Sequence, residues 1–215
     1  MIKKYEVLNN VQKAGIVAVV RGNSADDAYK TSVACIEGGV KAIEVAFTAP
    51  HADQTIAKLT EKYADDDSVI IGAGTVLEPV SARLALMAGA EFVVSPSFNK
   101  EVAKMCNLYG VSYMAGCFTP REAQVAMEYG VDVVKIFPAA LVGAKAISEF
   151  KGPFPQMSIM PTGGVSLDNL SEWFAAGAFV VGVGGQLVGP AKTGDYAKVT
   201  ENAKKFHEAF AKLNA

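Results

Sequence analysis

Tyr129-Gly130-Val131-Asp132-Val133-Val134-Lys135-Ile136-Phe137-Pro138 contains one complete instance of the pattern on which this chain is built. A stretch with helical spacing, residues 121–129, ends at Gly130, and a glycine there can take the left-handed conformation that stops a helix. A short β-branched run, residues 133–138, follows and reads as a buried parallel strand.

Reading outward, the same unit recurs. Runs rich in Val and Ile fall at residues 16–21, 42–47, 69–76, 92–96, 112–118, 133–138, 158–162 and 180–184, with starts about 20 to 28 residues apart. Amphipathic stretches lie between them at 25–37, 53–63, 80–87, 100–109, 121–129 and 167–175. Ser24, Thr119 and Ser166 stand where capping residues belong, and Gly38-Gly39, Gly89, Gly110, Gly130 and Gly177 stand where helices should end. Eight βα units in a row predict an α/β fold of the closed (β/α)8 TIM-barrel type rather than an open doubly wound sheet. The first strand ends in Arg21-Gly22-Asn23-Ser24, which lacks the glycine pattern of a dinucleotide-binding turn. Residues 1–14 read as an extra N-terminal helix and 195–213 as a closing helix. No linker or composition break interrupts the chain, so residues 1–215 are expected to form a single domain.

Bulk properties narrow the function. Apolar residues make up 51% and charged residues 20%, as in an ordinary globular protein. A net charge of −2 argues against nucleic acid as a partner, since phosphates demand a clustered basic face. No apolar run is long enough to span a membrane, and no signal peptide is expected. Cys35, Cys106 and Cys117 show no paired spacing and read as free thiols of a cytoplasmic protein. His51 and His207 are far apart, so no metal site and no cofactor are expected.

In a barrel of this kind, functional groups come from the C-terminal ends of the strands and the loops beyond. Those ends supply Arg21, Glu44, Thr75, Pro96, Lys135, Phe137, Thr162 and the pair Gly184-Gly185. Alternation along strand six puts Val133, Lys135 and Phe137 on the inner face, with Val134 and Ile136 toward the helices. Along strand two, Glu44 points inward between the small Ala42 and Ala46. An ammonium in apolar surroundings is costly, and losing its proton, which leaves a nucleophilic amine, is the usual relief. A snorkelling strand-end lysine or a purely structural Glu–Lys ion pair would also account for these residues. Paired with a carboxylate, such an amine could form a Schiff base with a ketone and use the acid for proton transfer. Gly163-Gly164 after strand seven and Gly184-Gly185 after strand eight stand where this architecture recurrently binds phosphate, although a glycine pair can equally be a plain turn.

Glu44-Val45, Gly72-Ala73-Gly74-Thr75-Val76, Ser95-Pro96, Val134-Lys135-Ile136-Phe137-Pro138 and Pro161-Thr162-Gly163-Gly164 occur in the order seen in one known family. The chain resembles, over nearly its whole length, the class I 2-keto-3-deoxy-6-phosphogluconate (KDPG) and 4-hydroxy-2-oxoglutarate (KHG) aldolases. The resemblance implies a (β/α)8 barrel, a homotrimer, and cleavage of a small-molecule 2-keto acid, phosphorylated in the case of KDPG, to pyruvate and an aldehyde. It implies Lys135 as the Schiff-base lysine and Glu44 as the acid/base. Thr75, Pro96, Phe137 and Thr162 would line the pyruvyl pocket. Arg21 would hold anionic groups, and Gly163, Gly164, Gly184 and Gly185 the phosphate. The chain departs from the pattern at Thr48, where many members have arginine, at Gly185, where many have serine, and at Ala140, where an acid is frequent. A phosphosugar isomerase or epimerase on the same barrel, with Glu44 as base, remains the alternative, as does a non-catalytic phosphate-binding barrel.

Overall fold

A computed structural model describes residues 2–213. Met1, at the start of the expected first helix, and Asn214 and Ala215 lie outside the described residues. Eight parallel strands are present: β1 Ile16–Val20, β2 Ala42–Ala46, β3 Ile70–Gly74, β4 Phe92–Ser95, β5 Ser112–Cys117, β6 Val133–Ile136, β7 Ile159–Pro161 and β8 Val181–Val183. Each pairs with its sequence neighbour and β1 also pairs with β8. A bridge between Thr162 and Gly182 joins β7 to β8, so the sheet closes on itself as a (β/α)8 barrel. Every strand residue is buried, because helices cover the outside and side chains fill the inside.

Among the described residues ten α-helices surround the sheet: α1 Lys3–Ala14, α2 Ala25–Glu37, α3 Ala52–Lys62, α4 Pro79–Met87, α5 Lys100–Leu108, α6 Pro120–Glu128, α7 Lys145–Lys151, α8 Leu170–Ala175, α9 Gly185–Val188 and α10 Tyr196–Leu213. Local chemistry sets their ends. Ser24 accepts from the Asp27 N–H at the start of α2. Thr119 and Glu122 cap α6 reciprocally. Gly89, Gly110, Gly130 and Gly177 have φ of 96°, 65°, 78° and 98°, a region costly for residues with a Cβ. At the end of α2 only Gly39 of the Gly38-Gly39 pair takes this conformation, at 95°.

Three sequence expectations need correction. Ser166 does not cap α8. Asn169 holds the N-cap position, and its Oδ1 accepts from the Ser166 N–H and from Trp173 Nε1, so the side chain organises the turn before the helix. Between β6 and β7, where periodicity identified no helix, the chain makes a 3₁₀ turn at Ala139–Leu141 and the short α7. The loop after β8 likewise contains α9 and a 3₁₀ turn, Gly189–Thr193. These pieces are too short for a 3.6-residue period to emerge.

Two packed layers result. Outside the barrel, helix residues meet the outward strand faces, Val134 and Ile136 among them. Inside, Val17, Ala42, Ile70, Phe92, Met114, Val133 and Met160 form a separate apolar plug. Helix α1 seals this plug from below with Val7 and Val11, while Lys4 of α1 pairs with Asp132 at 2.9 Å. The N-terminal end of the barrel is therefore closed by apolar packing, and polar side chains of the interior gather toward the other end.

Candidate active site

Glu44 is the third residue of β2 and Lys135 the third of β6. In an eight-stranded barrel these strands stand opposite each other, so inward side chains from both converge near the axis. Lys135 Nζ lies 3.7 Å from Glu44 Oε1, with side-chain exposures of 5% and 0%. That separation suits an ion pair but is too long for a hydrogen bond, and neither carboxylate oxygen of Glu44 has a hydrogen-bond partner among the described residues. A buried acceptor left without a donor is costly, and such groups belong to the small set of exceptions associated with reactive or binding sites.

Glycines make the room. Gly72 is the β3 register partner of Glu44, and Gly116 the β5 partner of Lys135. A Cβ on Gly74 would overlap the Glu44 carboxylate, one on Gly72 the Phe92 ring, and one on Gly116 the Pro96 carbonyl. A Cβ on Gly182 would likewise overlap Thr162 Oγ1, a further buried oxygen with no partner among the described residues. In the sequence, Gly72 and Gly74 read only as parts of a motif and Gly182 only as part of the glycine-rich end of strand eight, and Gly116 was not singled out. The usable signal was a glycine at an inward position of a strand, where it weakens pairing unless another group needs the space.

Phe137 puts its ring centroid 5.4 Å from Lys135 Nζ, within cation–π range. It borders a cavity of about 360 Å³ lined also by Arg21, Thr162, Gly163, Gly164, Gly184 and Gly185. Seven of the eleven expected site residues thus meet around one cavity, next to the buried Lys135–Glu44 pair. Gly163 and Gly164 have φ of 89° and 81°, and the N–H groups of Gly163, Gly164 and Gly185 take no acceptor from the described residues. Donors of this kind can receive an anion.

Pro96 and Thr75 do not line this cavity. Pro96 borders a neighbouring cavity of about 290 Å³ with Gly116, Arg121 and Phe137. Thr75 follows β3 with φ of 53°, left-handed and strained for a β-branched residue. The next residue fixes that turn: the Val76 N–H donates to the Val94 carbonyl, and the Val76 carbonyl accepts from Ser95 Oγ, which in turn accepts from the Tyr113 hydroxyl at 2.9 Å. Burial pushes the Tyr113 phenol up to about 12, so it remains a donor across the working pH range. Ser95 and Tyr113 escaped the sequence reading as supports. Arg21, Thr75, Pro96, Phe137, Thr162 and Gly184 each lie one residue beyond the end of their strands, whereas Glu44 and Lys135 sit inside the ladder.

Residues 7–202 match the family model for KDPG and KHG aldolase. The chain belongs to the KDPG and KHG aldolase family. Among curated members, the 2-dehydro-3-deoxy-phosphogluconate aldolase of Treponema pallidum (strain Nichols) is 38% identical over 204 residues, covering 93% of this chain and 94% of that protein. The 2-dehydro-3-deoxy-6-phosphogalactonate aldolase of Escherichia coli (strain K12) is 33% identical, covering 81% and 85% respectively. The crystal structure of a KDPG aldolase from Legionella pneumophila, with pyruvate captured as a covalent carbinolamine, superposes with a TM-score of 0.83 at 26% identity, covering 92% of this chain and 96% of that one.

Against the pattern of the KDPG and KHG aldolase family, the three departures of this chain have distinct settings. Thr48 is exposed beyond β2. Ala140 packs on the glycine loop, since a Cβ on Gly164 would lie 2.7 Å from the Ala140 Cβ. Gly185 faces open space, with nothing within 4 Å of where its Cβ would stand.

Proposed function

We propose that the chain is a class I aldolase that cleaves KDPG to pyruvate and glyceraldehyde 3-phosphate, or KHG to pyruvate and glyoxylate. One observation supports this above the others: the 3.7 Å approach of Lys135 Nζ to a fully buried Glu44 carboxylate that lacks a hydrogen-bond donor. The Lys135 amine attacks the keto carbon of the substrate to give a carbinolamine, which loses water and becomes a protonated imine. The Glu44 carboxylate takes the proton of the C4 hydroxyl, directly or through water, as the C3–C4 bond breaks and its electron pair moves into the imine. The aldehyde leaves, the resulting enamine is protonated at C3, and water hydrolyses the imine to release pyruvate and restore the amine. Phe137 and Thr162 would pack the pyruvyl unit, with Thr75 and Pro96 shaping the adjoining rim. Arg21 and the N–H groups at Gly163, Gly164 and Gly185 would hold the anionic end, with Gly184 giving the backbone room to approach.

The reading includes a cytoplasmic homotrimer. Leu77, Val80, Leu84 and Met87 support self-association, because they are 56%, 66%, 47% and 69% exposed around one face of α4. Light scattering should give three times the chain mass.

The decisive experiment is reduction with borohydride in the presence of pyruvate, followed by peptide mass mapping. A single adduct on Lys135, unchanged by EDTA, is expected. No adduct, or one at another lysine, would overturn the reading. Phosphosugar isomerase or epimerase activity that survives Lys135→Met would point to the other chemistry of this barrel.

A further inference from the structure

The aldol chemistry leaves one cation of the loop after β8 without a task. Lys192 lies in the 3₁₀ turn Gly189–Thr193 and lines a cavity of about 230 Å³ with Arg21, Asn23, Asp27, Gly184 and Gly185. This cavity shares Val19, Arg21, Gly184 and Gly185 with the larger one that holds Thr162 and Phe137, so the two adjoin along the glycine pair. Among the described residues neither Arg21 nor Lys192 is in an ion pair.

Among the described residues, the one carboxylate lining the smaller cavity is occupied with building it. Asp27 Oδ2 accepts from the Asn23 N–H at 2.9 Å, and Asp27 Oδ1 accepts from the Tyr196 hydroxyl at 3.1 Å. These bonds tie the loop that carries Arg21 to the first residue of α10, shortly after the turn that carries Lys192. Asn202 Nδ2 reaches the carbonyls of Gln186 and Leu187 and fixes the other flank. Two cations on anchored backbone therefore line one cavity with a glycine pair that has an unused N–H and, at Gly185, no side-chain donor.

We propose that Lys192, together with Arg21, holds the terminal phosphate of the substrate and sets the preference of the site for phosphorylated over unphosphorylated 2-keto-4-hydroxy acids. The proposal rests on the aldolase reading and adds a specificity-determining residue to it. A phosphate dianion needs more than backbone donors, and a lysine ammonium on a flexible stem meets it as a point charge without requiring fork geometry. The contact is partly open to solvent, so it weakens as salt is added.

The test compares wild type, Lys192→Met and Lys192→Arg. Kinetics with KDPG and KHG are combined with calorimetric titration by inorganic phosphate, after thermal melts establish that the variants are folded. In Lys192→Met the ratio of kcat/KM for KDPG to that for KHG should fall about 5- to 20-fold, through KM for KDPG. The Kd for inorganic phosphate should rise by a similar factor, and Lys192→Arg should restore most of both. An unchanged ratio with unchanged phosphate affinity, or an equal loss on both substrates, would overturn the proposal. If wild type cleaves neither substrate and traps no pyruvate, the aldolase reading falls, and the phosphate titration still decides whether Lys192 holds the anion.

Discussion

Gly74 and Glu44 occupy the same space: any β-carbon on the glycine would overlap the carboxylate that faces Lys135. The glycine at the end of β3 is thus a condition for the acid on β2. In Gly74→Ala, Glu44 has to move or the two strands have to separate. Overpacking of this kind costs about 1–3 kcal/mol. A lower melting temperature and a fall in kcat/KM of at least about 100-fold are expected, because a displaced general base loses most of its contribution. Near-wild-type kinetics would show that Glu44 does not need its present position.

Replacing the acid itself should separate two steps. Glu44→Gln keeps the shape and removes the proton acceptor, so kcat for cleavage should fall about 10²- to 10⁴-fold. Lys135 remains, and borohydride with pyruvate should still label it, more slowly. Loss of labelling together with cleavage would assign Glu44 to imine formation rather than to breaking the carbon–carbon bond.

Gly185 invites a gain of function. The space beside it is open and its φ lies outside the left-handed region, so a side chain enters without strain. In Gly185→Ser a hydroxyl would reach a bound phosphate, and a hydrogen bond to a charged group contributes about 1.5–3 kcal/mol. KM for KDPG should fall about 10-fold or more, and the value for KHG should hardly move. A rise in KM for KDPG would mean that the anion lies elsewhere.

Acid should weaken the fold through its helix caps. The Phe118 N–H holds the Glu122 carboxyl below its usual range, with the Thr119 backbone and hydroxyl adding to the effect against partial burial. Ser81 does the same for Glu78 at the start of α4. Both folded-state values are depressed, so this stabilisation is complete above the ordinary carboxylate range, about 4.3, and is lost as pH falls through the lower folded values. Glu122→Gln should cost about 0.5 kcal/mol at pH 7, since the group is largely exposed. The gap between variant and wild type should narrow steadily as pH falls below the ordinary carboxylate range, which thermal melts over a pH series would measure.

The thiols should be silent in the native protein. Burial pushes Cys117 and Cys106 up to about 12 and Cys35 higher still. At pH 8 iodoacetamide should modify none of the three until denaturant is added, as mass spectrometry would record. Rapid native labelling of Cys117 would mean that the end of β5 opens to solvent.

The repeat itself was legible. Eight β-branched runs, the caps Ser24 and Thr119, and the terminating glycines predicted the barrel, because parallel strands buried on both faces leave continuous apolar runs and left-handed helix ends select glycine. Ser166 misled because a serine shortly before a helix resembles a cap even when the N-cap position falls on Asn169, whose side chain bonds the Ser166 N–H instead. Segments as short as α7 and α9 left no period to read.

Residue by residue, the chain alone determined which side chains turn inward, since alternation about Lys135 and Glu44 is a property of each strand taken separately. It could not determine that these two groups meet. That depends on closure of the sheet by the Thr162–Gly182 bridge, which brings β2 and β6 to opposite sides of one narrow cylinder. Nor could it reveal that Gly74, Gly116 and Gly182 hollow the interior, or that Lys192 faces Arg21's cavity. Those relations join residues far apart in sequence, and only the packed barrel sets the distances between them.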